Sequence, residues 1–386
     1  MAASEELGIL GLDSLHYFVR KPERSDTFYR RGMGFQTTWR SSEAMVAQTG
    51  QRSTVYEAGQ IRVVVSTPER DSCRAARYLR RHPAGIGSLT FQVESVERAW
   101  QFLERRGGTF IHGIRETRAG DGAFRHFSIT TAIGDVAMRF VERVDFDGFA
   151  PGFERAPTAA ETVYSTPFRF ERIDHVTCNA PTMASVALWL EHVLGMEQCW
   201  DITFHTEDIR TGGDKGTGLR SVVMWDPRSG LKFPINEPLH PFFKEGQINR
   251  FVEDNWGAGV QHVALLVDDC VASVETLRER GIQFLETPSN YYRHAPERLL
   301  KNQVHTERLA HRLETLERLG ILIDGSPVDQ YLIQVFMKDA MTLYSEPEAG
   351  PFFYELIQRC GDRGFGGGNF RALFEAIERE QLGYDA

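Results

Sequence analysis

The chain has 386 residues, enough for two or three domains that each bury a core, and 41% of them are aliphatic, aromatic or cysteine, which excludes a largely disordered protein. The net charge is −9, and the one basic group, Arg74, Arg77, Arg80 and Arg81, is spaced like a solvated helix face, so no nucleic-acid-binding surface is expected. The five cysteines are scattered without a CxxC pair, Met1 to Leu10 has neither a basic nor an apolar leader region, and no apolar run approaches about 18 residues, so a reducing cytosol is expected, without disulfides, structural zinc or a membrane span.

In chain order, a strand around Leu15-His16 leads into PERSDTFYRRGMGF, a helix stopped at Gly34 and followed by Trp39 and a strand at 61–66. Gly87 to Gly107 repeats the step from strand to amphipathic helix, and 137–141 is a further strand. PGFERAPTAAETVYSTP, rich in Pro, Ala, Thr and Ser, reads as a linker, which divides the chain into 1–150, a connection at 151–168, and 169–386. After it, the strand 173–178 runs into a helix with Val186, Leu188, Leu190, Val193 and Leu194 on one stripe, stopped by Gly195, with a strand at 219–224. Gln261 to Gly281 opens a fourth unit, interrupted by the amphipathic stretch 296–320, which is expected to lie across the outside of a sheet. A strand at 331–336 follows, and the glycine-rich 364–368 should let a terminal helix fold back as a cover; without Gly-Lys-Ser/Thr it is not a phosphate loop. The predicted class is α+β, with four strand–helix–strands units paired into two open barrels.

The repeats make the differences between the halves informative. Residues 87–107 lie over 261–281 without a gap, which puts Ser88 on His262; Leu15-His16 is matched to Asp174-His175, and Arg139 in RFVER to Glu355 in ELIQR. On that register the first half lacks two of three donors. His175, His262 and Glu355 are 87 and 93 residues apart, too far for a local loop site and suited to separate strands of one curved sheet. Two imidazoles and a carboxylate are the set expected of mononuclear Fe²⁺ with three open positions, Zn²⁺ being the second choice. The apolar run FFYELIQR supports this, since a carboxylate buried there needs a cation. His305 and His311 stand among Arg, Glu and Lys and are expected to face solvent.

RIDHVTCNAP, FPINEP, GAGVQHVALLVDD, LGILIDG, IQVF, FFYELIQR and GFGGGNFRALFEAIEREQ, in this order, resemble the 4-hydroxyphenylpyruvate dioxygenase family of the vicinal oxygen chelate superfamily. The resemblance is dense from about 170 to 381 and thin before 150. It implies the two-domain vicinal oxygen chelate fold of four βαβββ units, with iron on His175, His262 and Glu355 in the C-terminal barrel and a metal-free first domain serving structure and oligomer contact. It also implies a pocket of Ser221, Asn236, Gln247, Gln261, Gln334 and Phe336, closed by Phe353, Phe365 and Phe370 with Asn369 alongside. The partners so implied are an aryl 2-oxo acid and O2, taken by a homodimer or homotetramer. A 2-oxo acid would fill two iron positions and leave one for dioxygen, while neutral amides and phenylalanines orient the ring in a dry pocket. Two features depart from the family pattern: the segment between Lys338 and Glu355 is several residues longer, and Asp339 stands where proline is common. The alternatives are a 4-hydroxymandelate synthase, attacking the benzylic carbon of the same substrate, and a ligand-sequestering protein of the same fold.

Overall fold

Alternation of side chains along each strand builds two curled sheets. A computed structural model describes residues 3–157, 164–205, 218–239, 246–287, 289–326 and 329–369. The first sheet contains β1 (Ile9–Phe18), β2 (Gln36–Ser41), β3 (Gln51–Ala58), β4 (Ile61–Pro68), β5 (Gly85–Val93), β6 (Phe110–Ala119), β7 (Gly122–Thr130), β8 (Ala137–Val144) and β9 (Phe153–Arg155). Their order is β6-β7-β8-β5-β1-β4-β3-β2-β9, with β9 pairing onto β2 from within the segment read as a linker. The second sheet contains β10 (Phe170–Asn179), β11 (Glu197–His205), β12 (Gly218–Trp225), β13 (Lys232–Pro238), β14 (Gly259–Val267), β15 (Leu322–Ser326), β16 (Gln330–Phe336) and β17 (Phe353–Cys360), in the order β11-β12-β13-β10-β14-β17-β16-β15.

Each half is therefore a pair of units in which the first strand lies parallel to the last and the two first strands meet antiparallel, β1 against β5 and β10 against β14. The helices lie on the convex side, where Val96, Ala99, Phe102 and Leu103 of the helix Val96–Arg105 are buried. Matching units share their punctuation. Ser95 and Asp269, equivalent in the gapless match, both cap a helix by accepting from a backbone N–H three residues on, and Gly107 and Gly281 both close it at positive φ.

The stretch 296–320 departs from expectation. A helix spans Ser289–Lys301, the chain reverses at Gln303 (φ 58°) ahead of buried Val304, and a separate helix covers Leu313–Arg318. The first of these lies along the sheet's edge. Tyr291 and Arg298 donate to the Ile323 carbonyl at 2.6 and 2.9 Å, and Asn302 to that of Gly325 at 2.8 Å. The insertion thus pairs groups that an outermost strand, β15, would leave open.

The long segment before Glu355 has its own order. Asp339 caps the helix Ala340–Tyr344, its Oδ1 accepting from Thr342 N–H at 2.8 Å, a duty proline could not perform. Glu346 then pairs with Lys21 at 2.9 Å and Arg24 at 2.7 Å, tying the segment to the first half. Behind the strand that follows, the hydroxyls of Tyr354 and Tyr29 meet at 2.8 Å in a core that runs through both halves. No helix among the described residues is long and apolar enough to cross a membrane.

Candidate metal centre

On the concave face of the second sheet, β10 presents His175, Thr177 and Asn179 while Val176 and Cys178 enter the core behind it. His262 on β14 sits opposite Thr177, and Glu355 on β17 lies beside Ala264, two residues along β14. The donor atoms of His175, His262 and Glu355 all lie within 4.8 Å of one another, and each residue is less than 5% exposed. Glu355 Oε2 is 3.3 Å from His175 Nε2 and 3.4 Å from His262 Nε2. Such spacing suits donors that each stand about 2.1 Å from one shared ion.

Both imidazoles are oriented from behind. His175 Nδ1 donates to Asp174 Oδ2 at 2.9 Å and His262 Nδ1 to Gln261 Oε1 at 3.1 Å, which leaves both Nε2 lone pairs aimed at the centre. Asp174 is in turn gripped by Arg359 through two bonds of 2.7 Å. Although burial opposes its charge, the bonds from Arg359 and His175 hold the Asp174 carboxyl well below the usual range.

The donors themselves are a coupled group. Burial would raise Glu355, but the two imidazoles outweigh it and its pKa falls. For His262 burial wins and the pKa falls; His175, placed between the Glu355 and Asp174 carboxylates, is raised despite burial. Protonation of His175 and metal binding at its Nε2 therefore compete for the same lone pair. The second oxygen of Glu355 is buried with no hydrogen-bond partner, which a coordinated ion would satisfy. The three residues fit a divalent metal with further positions free.

The first half shows what has been replaced. Its ladders pair Ser14 with Thr90, His16 with Ser88 and Thr90 with Arg139, just as His175 pairs with Ala264, Thr177 with His262 and Ala264 with Glu355. The match of His16 to His175 is therefore corrected by one rung: Ser14 stands at His175, His16 at Thr177, and all three donors are absent. Asp13 corresponds to Asp174, and it is gripped by Arg143 at 2.7 and 3.2 Å as Asp174 is by Arg359. The bracing pair was kept in both halves, the donors in one.

The chain matches the Glyoxalase/Bleomycin resistance protein/Dioxygenase superfamily twice, over residues 11–134 and 172–297. It is 33% identical to a 4-hydroxyphenylpyruvate dioxygenase of Coccidioides posadasii over 96% of this chain and 93% of that one, and 31% identical to one of Dictyostelium discoideum over 96% and 98%. The chain belongs to the 4-hydroxyphenylpyruvate dioxygenase family. A solved mutant of 4-hydroxymandelate synthase from Streptomyces coelicolor also superposes on it with a TM-score of 0.77, at 27% identity, covering 97% of this chain and 99% of that one. This family member is an enzyme with a twice-repeated vicinal oxygen chelate fold.

Around the donors, Phe353 stacks on the His262 ring at 5.0 Å and Phe336 meets it edge-on at 6.0 Å, while Phe365 meets His175 at 5.2 Å. Phe336 lies directly across from Glu355, and buried Gln334 is on the same face two residues earlier. Leu285 and Leu322 complete an apolar cluster with Phe336 and Phe353. Elsewhere in this interior, Ser221 and Asn236 are cross-strand neighbours, and Asn236 donates to Asn179 Oδ1 at 2.9 Å. Ser221 Oγ, Asn236 Oδ1, Asn179 Nδ2 and Gln247 Oε1 are buried without partners, a pattern that calls for a polar ligand. Asn179 and Arg359 were not singled out from the sequence, though two-residue alternation from His175 and Glu355 leads to both. Asn369 is fully buried beside Tyr291 and the backbone of Ile323 and Asp324; Phe370 and the terminal helix lie outside the described residues.

Proposed function

We propose that the chain is a cytosolic Fe(II) dioxygenase that converts 4-hydroxyphenylpyruvate and O2 to homogentisate and CO2. What carries the reading is the buried His175, His262 and Glu355 cluster, with a partnerless carboxylate oxygen, beside an aromatic wall and a set of amides that each keep one buried atom without a partner. Ferrous iron held there would supply chelation of the 2-oxo acid and activation of dioxygen. The protein's own residues do the rest. Asp174 and Gln261 keep both imidazoles in the coordinating tautomer. Phe336 and Phe353, with Phe365 on the other side, hold the substrate ring and exclude water. Ser221, Asn236 and Gln247 offer neutral groups to the phenol and carboxylate, which need no charge compensation in a dry pocket, and Gln334 stands beside Phe336 to fix the ring's position. A homo-oligomer, dimer or tetramer, belongs to the same reading.

The likeness to a 4-hydroxymandelate synthase keeps one alternative in view, benzylic attack on the same substrate. Phe336 favours ring attack, because a full phenyl at the rung of Glu355 limits where the side chain of the substrate can swing. Anaerobic addition of 4-hydroxyphenylpyruvate to the ferrous protein should give a visible charge-transfer band, and air should then yield homogentisate by chromatography. In His262→Ala both metal and band should be lost. Hydroxymandelate as the main product would select the alternative, and a band-free, inert ferrous protein would refute the dioxygenase reading.

A further inference from the structure

The concave side of the first sheet encloses a cavity of about 320 Å³, within the range of small-molecule sites. It stands where the metal pocket stands in the other half, but its chemistry is opposite in sign. Arg139, at the rung of Glu355, lines it and makes no hydrogen bond or ion pair with another described residue. Burial, then Arg74 and Arg115, push its guanidinium down to about 10, so it stays charged at neutral pH. The nearest acid is committed elsewhere: Asp13 is held by Arg143 at 2.7 Å and by Arg62 at 3.2 Å.

What surrounds Arg139 is a row of hydroxyls. Thr90 on β5 and Ser128 on β7 are its two cross-strand neighbours, both buried, both lining the cavity, and neither hydrogen-bonded through its side chain to another described residue. Four residues along β7, Phe124 lines the same cavity together with Phe149 and Phe153, the Arg143 guanidinium lying 5.2 Å from the Phe124 ring and 6.0 Å from the Phe149 ring. The backbone positions of Ser128 and Phe124 are about 13 Å apart along the strand, so an inorganic anion held on the guanidinium would leave the aromatic end untouched. Exposed Thr49, Ser72 and Arg77 mark a mouth open to solvent.

We propose that the first half-barrel binds a small arylcarboxylate, its acid group on the Arg139 guanidinium between the Thr90 and Ser128 hydroxyls and its ring against Phe124, Phe149 and Phe153. A half-buried guanidinium with no ion-pair partner among the described residues is a fork matched to two carboxylate oxygens, and the hydroxyls supply the remaining donors. The site requires no metal and is independent of the reaction in the second half.

The test uses phenylacetate, which lacks the 2-oxo group needed for chelation, titrated calorimetrically into metal-loaded wild type, His262→Ala, Arg139→Met and Thr90→Val. We expect one site per chain that persists in His262→Ala, weakens at least about tenfold in Arg139→Met and severalfold in Thr90→Val. Arg139→Met removes a half-buried charge that pairs with no described residue and keeps the length of the side chain, so it should melt within about 2 °C of wild type, which keeps the comparison interpretable. Absence of binding at about 10 mM, unchanged affinity in both Arg139→Met and Thr90→Val, or loss of the site in His262→Ala would overturn the proposal. Equal affinity for inorganic phosphate would overturn the arylcarboxylate assignment.

Discussion

The duplicated Asp–Arg pair permits an internally controlled experiment. Asp174→Asn keeps the shape of the side chain but removes the charge that Arg359 grips and that accepts from His175. Asp13→Asn does the same to Arg143 where no metal donor is present. Losing one partner of a buried ion pair costs about 3–5 kcal/mol. An asparagine oxygen can still accept one bond, and the arginines keep backbone acceptors, Gly364 at 2.7 Å for Arg359 and Phe149 at 2.8 Å for Arg143. We therefore expect each substitution to cost about 2–3 kcal/mol and to lower the melting temperature of the metal-free protein by about 2–4 °C. Metal affinity should separate the two. Loss of an acceptor behind a ligating histidine weakens binding about 10–100-fold, or about 1.4–2.8 kcal/mol, so Asp174→Asn should show that deficit and Asp13→Asn none. Competition against a chromophoric chelator measures it. Equal affinity in the two variants would refute the claim that Asp174 positions His175.

Three further outcomes follow from contacts described above. Phe336→Val should keep oxygen uptake while diverting product from homogentisate toward hydroxymandelate, at a stability cost of about 1–3 kcal/mol; an unchanged product ratio by chromatography would count against Phe336 as the residue that positions the ring. Tyr29→Phe leaves the buried Tyr354 hydroxyl without its 2.8 Å partner, so urea unfolding should show a loss of about 1–2 kcal/mol. Substrate KM should stay within about twofold of wild type, because the contact lies behind the metal strand. With a chromogenic disulfide at pH 8, exposed Cys199 should react first and half-buried Cys360 after it, whereas Cys178 and Cys270 are buried and burial pushes their thiols far up; rapid labelling of either of these two would contradict the packing.

The three metal donors were legible because donor-type residues recur at matching points of a repeat, and periodicity placed each on a strand. Their register in the first unit was not. A shift of two residues keeps every side chain on its own face, so hydropathy cannot tell Ser14 from His16. The deciding contact, Asp13 with Arg143, joins residues 130 positions apart and becomes visible only in the folded chain. The glycine stops were better guides: Gly34 and Gly195, both at positive φ, already imply the spacing that the ladders show. The stretch 296–320 misled for a different reason. Its leucines satisfy a helical stripe on both sides of Gln303, but the side chains of Tyr291, Arg298 and Asn302 answer to the open edge of β15, a demand set by topology that local sequence does not carry.

The retained Asp13–Arg143 brace has an engineering consequence. An imidazole at position 14 would find its supporting carboxylate already in place and already clamped. Histidines at 14 and 88 with glutamate at 139 would set a second donor triad on equivalent rungs, converting a lopsided duplicate into a symmetrical two-centre scaffold at the expense of its cationic socket.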